Sequence, residues 1–375
     1  MINRKPSSSA ALIGIDASRS IGDRPTGTEL YSRYLIETLI DQTHPDYSFR
    51  LYYNQPPKSL SPNPRSAIRI IPFPRLWTHV RLSLEMLLHA PDLLFIPAHV
   101  IPIIHPRRSI VTVHDLGYLH FPEAHPPRQR WYLDRSTRWN VRSASRAIAD
   151  SEATKRDLID RYHAEADRIS VAYPGIDPSI QRVADPIEID RVKAKYNIDD
   201  DYILYLGTLQ PRKNLSRMIT AFGQVQSNLQ LVLAGKTGWY ADPLFKQVAD
   251  HSLSARVLFP GYTAEADKSA LLSGATALVF PSLYEGFGFP VLEAMRCGVP
   301  VLCSNTSSLP EVSGDAALLI DPLSIESIAD GLTRIINDQA LRQKLIAAGY
   351  AQAKKFSWRS CADDVLKVIQ QVLNS

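Results

Sequence analysis

The chain has 375 residues, 45% of them hydrophobic and 21% charged, with a formal net charge of +4. That length argues for two domains rather than one core. The small positive balance does not by itself indicate a nucleic-acid partner, although it suits anionic small molecules or an acidic membrane face.

In chain order, "MINRKPSSSAALIGIDAS" has a basic start and a short apolar run ending at Asp16, which reads as a disordered leader feeding a first strand, not a signal peptide. Short apolar, β-branched runs then alternate with helical patterns, the mark of a parallel α/β architecture. Strands are expected at 11–17, 49–54, 67–73, 93–98, 109–115, 146–151 and 168–174, with helices near 28–41, 76–89, 128–144 and 152–162. The most apolar stretch, "LLFIPAHVIPII" (93–104), is broken by two prolines and a histidine and is too short to span a bilayer. "GIDPSIQRVADPIEID" (175–190) is proline-rich and aperiodic, so it reads as a linker. A second series of strands follows at 202–208, 229–235, 256–262, 277–282 and 299–304, and 356–373 is an amphipathic helix. The wholly apolar strands imply sheets covered on both faces. The expected fold class is α/β, with two doubly wound domains facing across a cleft at the carboxyl ends of their strands. Cys297, Cys303 and Cys361 are odd in number and lack metal-ligand spacing, which fits a reducing cytoplasm.

Two nucleotide motifs are near misses. "AGKTGWY" has Gly235-Lys236-Thr237, but Gln230 stands where a P-loop needs its first glycine. "GDRPTGT" has Gly22 and Gly27 without a dinucleotide fingerprint; it offers a loop opening onto a helix at Thr28, where backbone N–H groups hold an anion or merely turn the chain. "GTLQPRKN" ends a strand at Gly207-Thr208 and sets Arg212 and Lys213 before a helix with Asn214 as its N-cap. A guanidinium fork beside an ammonium suits a diphosphate leaving group, against the alternative of a solvated turn.

"YEGFGFPVLEAM" (284–295) follows a buried strand. Gly286, Gly288 and Pro290 exclude one continuous helix, so Glu285 falls on a loop and Glu293 one turn inside a helix starting near Phe289 or Pro290. Bare N–H groups here suit a phosphate or sugar hydroxyl, and the carboxylates suit vicinal hydroxyls. The plainer reading makes Glu293 a helix-dipole charge and Glu285 a surface residue. "VTVHDLGY" (111–118) ends another strand with His114, a candidate donor to substrate, and Asp115, which could orient it. His99, His105, His120 and His125 show no ligand spacing that would make a metal site. "PRLWTHVRLSLEMLLH" (74–89) interleaves Arg75, His79 and Arg81 with leucines; it packs on a sheet or lies on anionic lipid.

Together these segments resemble the retaining glycosyltransferases of family 4, which have the two-domain GT-B fold. The resemblance is densest over 280–322 and includes the glutamate–seven–glutamate spacing; "LGTLQPRKNL", "VTVHDLGYL", "ADSEATKRDL" and "VAYPGID" occur in the family's order. It implies an acceptor-binding domain over 1–183, a donor-binding domain over 184–356, and a last helix (357–375) crossing back to the first domain. It implies a GDP- or UDP-sugar donor, a glycan or lipid-linked glycan acceptor, no nucleic acid and no metal cofactor. Arg212 and Lys213 would neutralise the diphosphate, Glu293 would bind the ribose, and Glu285 the transferred sugar. Gly286, Phe287 and Gly288 would touch sugar and phosphate, Gly27 would approach the diphosphate, and His114 would lie near the reacting centre. Thr208, Leu292 and Tyr262, the last beside the base, complete the implied donor site. The loop "DRPTGTELYSRY" departs from the glycine pair of many relatives. The expected reaction is same-face transfer of a hexosyl group, mannosyl favoured, in surface polysaccharide assembly. The enzyme would work in the cytoplasm, at the inner membrane face only if 74–89 lies on lipid and does not pack on the sheet. Two alternatives are an epimerase or hydrolase of nucleotide sugars and a non-catalytic sugar-nucleotide-binding partner.

Overall fold

The computed structural model describes residues 10–21, 26–42, 45–57, 66–73, 75–98, 100–238 and 240–375. Most of the expected leader, and Gly22 and His99, lie outside the described residues. Seven parallel strands form the first sheet: β1 (Ala11–Asp16), β2 (Tyr47–Tyr53), β3 (Ser66–Ile70), β4 (Leu93–Ile96), β5 (Ser109–Val113), β6 (Arg146–Ala149) and β7 (Ile169–Val171), in the order β3-β2-β1-β4-β5-β6-β7. Six more form the second: β8 (Tyr202–Leu206), β9 (Gln230–Ala234), β10 (Val257–Gly261), β11 (Ala277–Phe280), β12 (Val301–Ser304) and β13 (Ala317–Ile320), in the order β10-β9-β8-β11-β12-β13. Strands such as "LLFI" in β4 and "YILYL" in β8 are buried at every position, so both faces need a helical cover. In each sheet the order reverses beside the first strand, between β1 and β4 and between β8 and β11. Such a switch point leaves a crevice at the strands' carboxyl ends, where ligands bind.

The last helix, Trp358–Leu373, starts where Ser357 accepts a hydrogen bond from Ser360 N. It buries Trp358, Cys361, Val365, Ile369 and Val372 in the first sheet's core, beside Ile13, Leu35 and Leu93. This return is tight: a Cβ on Gly175 would lie 2.2 Å from Trp358 N.

Three local features differ from expectation. The segment 175–190 is not a bare linker. Ile176 and Ile180 already sit in the second core, and Asp185 caps a helix, Pro186–Lys195, by accepting from Ile187 N. The proline that obscures the periodicity occupies the helix's first turn, where it is tolerated. β13 was not anticipated because "ALLI" is a four-residue edge strand between polar flanks. The helix expected over 76–89 begins instead as a π-helical turn, Thr78–Leu82, before the α-helix Ser83–His89. No helix among the described residues is long and apolar enough to cross a membrane.

Candidate active site

A cavity of about 420 Å³ lies between the two switch points and is lined from both halves of the chain. The first half contributes Gly27, at the start of the helix Gly27–Asp41, His114 after β5, and Asp150 after β6. The second contributes Gly207 and Thr208 after β8, Arg212 and Lys213, the loop Glu285–Gly288 after β11, and Glu293.

Arg212 and Lys213 sit in a 3₁₀ turn, Pro211–Lys213. Lys213 Nζ lies 2.5 Å from Glu285 Oε1, and Arg212 Nη1 lies 3.0 Å from Glu285 Oε2. The Arg212 guanidinium also donates to the Tyr284 carbonyl. Lys213 and Glu285 are only 8% and 7% exposed, so each charge needs the others to offset desolvation. Burial pushes the Glu285 carboxyl up, but Lys213 and Arg212 outweigh it and hold it at about 2. Burial pulls Lys213 below its ordinary value, opposed by Glu285.

The loop carrying Glu285 is fixed by its neighbours. Glu285 N donates to Ser307 Oγ, and Ser308 Oγ donates to the carbonyls of Glu285 and Phe287. Gly288 has φ +110°, a left-handed conformation that favours glycine, and leads into the helix Phe289–Arg296 with Pro290 in its first turn. Glu293 is therefore one turn in, as its spacing implied, and 3% exposed. Its Oε1 receives Lys268 Nζ at 2.6 Å; its Oε2 is buried with no hydrogen-bond partner among the described residues. An acceptor oxygen without a donor is set up for a ligand hydroxyl.

His114 departs from the simpler picture. Nδ1 lies 2.7 Å from Asp150 Oδ2, and Nε2 lies 2.9 Å from the Pro97 carbonyl. Burial lowers the imidazole's affinity for its proton, yet the Asp150 carboxylate outweighs it and raises the pKa. The orienting carboxylate is thus Asp150, not Asp115, whose Oδ1 accepts from Gly117 N. Asp115 follows immediately on His114 and turns back to its own loop, whereas Asp150 arrives from the neighbouring strand. Both ring nitrogens are committed to protein oxygens.

Asn214 is also corrected. It precedes the helix Leu215–Gln224 but has φ +61° and makes no side-chain cap. Its Nδ2 instead donates to the carbonyls of Pro281 and Pro322, at 3.1 and 2.7 Å, tying the basic turn to the loop after β11. Phe287 lines the cavity and packs on Phe289 and Phe356. Two expected donor-site residues do not line it. Leu292 is fully buried in the second core, and the Tyr262 ring lies 5.1 Å from Lys236 Nζ.

Sequence reasoning missed Asp150, Lys268, Glu265 and Asp177, all of which line the cavity. Asp150 carries the signal that flagged His114, a polar residue directly after an apolar strand. Lys268 and Glu265 sit on the helix Glu265–Ser273, where charges three apart look like any solvated helix face.

Two doubly wound sheets sharing one cavity between their switch points define the GT-B class. The family model described as Glycosyltransferase Family 4 matches residues 26–180, and that described as Glycosyl transferases group 1 matches 186–352. The O-antigen chain mannosyltransferase B of Escherichia coli is 35% identical over 266 residues, covering 69% of each chain. Among solved structures, sucrose-phosphate synthase from Thermosynechococcus elongatus superposes with a TM-score of 0.77 at 19% identity, covering 97% of this chain and 99% of that one. Anabaena HepE in complex with UDP and glucose gives 0.72 at 18% identity, covering 96% and 99%. The chain belongs to glycosyltransferase family 4 and is a glycosyltransferase of the GT-B fold.

Proposed function

We propose that the chain is a retaining mannosyltransferase that uses GDP-mannose and extends a glycan or lipid-linked glycan in surface polysaccharide assembly. The observation that carries this reading is the Arg212–Glu285–Lys213 cluster beside the Lys268–Glu293 pair in one cavity. Two cations flank the place for a diphosphate, one carboxylate beside them suits sugar hydroxyls, and the open Oε2 of Glu293 suits a ribose hydroxyl. The mannosyl group is supported by the name of the Escherichia coli relative, an O-antigen mannosyltransferase. The base is suggested by Glu265, which lines the same end of the cavity 3.9 Å from Lys268. A guanine edge offers two adjacent N–H donors to one carboxylate, whereas uracil offers one.

In this mechanism the bond from the anomeric carbon to the diphosphate oxygen lengthens first, and Arg212 and Lys213 take up the growing negative charge. The acceptor hydroxyl enters on the face the diphosphate leaves, and its proton passes to a departing phosphate oxygen. Glu285 positions the sugar and forms no covalent bond. The side-chain cations supply the positive charge that a divalent metal would otherwise bring to the diphosphate, so EDTA is expected to leave the rate unchanged. The three buried free cysteines suit a cytoplasmic site of action.

The test is transfer from GDP-mannose with GDP and UDP as competing inhibitors. GDP is expected to inhibit about tenfold more tightly, a difference of ~1.4 kcal/mol, and Glu265→Ala is expected to erase that preference. Equal inhibition by both nucleotides, or a ratio unchanged in Glu265→Ala, overturns the guanine assignment; no transfer from GDP-mannose overturns the donor.

A further inference from the structure

We propose that Asp157 is a positioning residue for the transfer step, acting through the Tyr284 side chain on Glu285 and Arg212. The proposal rests on the transferase reading of the cavity. Tyr284 comes from the loop after β11, but its side chain reaches into the other half of the chain. Its hydroxyl donates to Asp157 Oδ2 at 2.6 Å and accepts from Leu116 N at 3.3 Å. Its ring stacks on His120, with centroids 4.6 Å apart and planes 21° from parallel. His120 Nε2 in turn lies 3.0 Å from Asp157 Oδ1. Both oxygens of Asp157 are thus engaged, one by a residue from each half.

The backbone around Tyr284 carries this contact to the charges. The Arg212 guanidinium donates to the Tyr284 carbonyl, and Leu283 N donates to the Arg212 carbonyl at 2.9 Å. Glu285 is the next residue and pairs with both Arg212 and Lys213. A displaced phenol therefore takes the cation–carboxylate cluster with it. Asp157 lies on the helix Glu152–Tyr162, and two further positions of that helix meet the second half. Glu152 N donates to Glu311 at 2.9 Å, and Thr154 Oγ1 lies 3.3 and 3.4 Å from the carbonyls of His114 and Gly286. One helix of the first half thus holds the second at positions 152, 154 and 157, within two turns.

Packing alone does not account for the hydroxyl. Tyr284 is 5% exposed, and a phenylalanine ring would stack on His120 equally well. The Asp157 carboxylate loses water at this seam, a cost offset only while the two halves keep this arrangement. Burial pushes its pKa up, yet the bonds from His120 and Tyr284 outweigh burial and hold it below its ordinary value. A hydrogen bond to an ionised group is strong and directional, so it fixes where the loop stands as well as covering it. Reacting groups depend on such support, because a misplacement of about 1 Å is costly at the point of bond transfer. The Lys268–Glu293 pair lies wholly within the second half. A loosened Tyr284 is therefore felt in the transfer step more than in nucleotide binding.

The experiment compares the full chain with Tyr284→Phe, Asp157→Ala, Asp157→Asn and the double variant Tyr284→Phe/Asp157→Ala. Tyr284→Phe and Asp157→Ala are each expected to lower kcat about tenfold, with GDP affinity by calorimetry kept within about threefold. The double variant is expected to lose about tenfold as well, because both changes remove one bond. Asp157→Asn keeps an acceptor oxygen for the hydroxyl and is expected to recover most of the rate. Tyr284→Phe and Asp157→Asn preserve the buried shapes, so the test does not depend on Asp157→Ala folding. Losses that multiply to about a hundredfold in the double variant overturn the inference, as does GDP affinity that falls in step with kcat. A second readout needs no reaction: amide hydrogen exchange over 284–288 in the ligand-free protein should be about tenfold faster in Tyr284→Phe. Unchanged exchange there overturns the inference. No transfer by the parent chain overturns the proposed activity, whereas variants that match the kcat of an active parent overturn the positioning role alone.

Discussion

At the scale of single residues, Glu285 decides the electrostatics of the cavity. Two cations and a carboxylate placed this deep are mutually dependent, and removing one strands the rest. Lys213→Ala is expected to lower kcat by roughly 10²–10³, the worth of one preorganised donor to developing charge. Steady-state turnover at saturating donor checks it, and near-parent rates would remove Lys213 from the leaving-group role. Glu285 also sets a pH dependence. Its folded pKa of about 2 lies below its ordinary value of 4.5, so its contribution to stability is complete above about pH 4.5 and is lost as pH falls towards 2. Urea denaturation midpoints should therefore drop through that window, and Glu285→Gln should flatten the drop; an equal slope in the variant would contradict the pairing. Glu285, Arg212 and Lys213 were legible in the sequence because each follows a buried strand within a glycine- or proline-marked loop. Lys268 was not, since its partner Glu293 lies 25 residues away and only the fold brings them to 2.6 Å. His114 was found for its position, but its role could not be read, because Pro97 and Asp150 reach it from other strands.

At the scale of elements, the loop after β11 is shaped as much by what it lacks as by its charges. A Cβ on Gly286 would lie 2.0 Å from the His114 carbonyl and 2.7 Å from Asp115 Cβ. These atoms belong to the loop after β5, in the other half of the chain, so any side chain at 286 must push the cavity's two walls apart. Gly286→Ala is expected to lower kcat about 10²-fold, the cost of a misplacement near 1 Å, with a smaller loss of GDP affinity by calorimetry. Parent-like turnover would show that the contact does not govern the geometry. The sequence located this loop and the helix behind it because glycine and proline punctuate it so heavily. Its supports, Ser307 and Ser308, and the non-capping role of Asn214 were not legible, since a serine or asparagine near a helix start reads first as a cap. The helix Pro186–Lys195 was hidden by the same proline that starts it.

At the scale of the whole molecule, the halves are interlocked near the site. Tyr284, on the loop after β11, donates to Asp157 at 2.6 Å and stacks on His120 at 4.6 Å, both in the first half. Glu152 N donates to Glu311 at 2.9 Å, and Trp358 carries the last helix back to the first core. The two-sheet plan was legible because strands buried on both faces are apolar throughout. This interlocking was not, because each contact joins residues more than a hundred positions apart. It holds the cavity's two walls together, which the proposed same-face transfer would require: donor and acceptor must meet with water kept out. The most direct measurement is the anomeric configuration of the product formed from GDP-mannose, read by NMR from its anomeric carbon–proton coupling. An α-linked product, keeping the donor's configuration, is the expected result; a β-linked product would contradict the account.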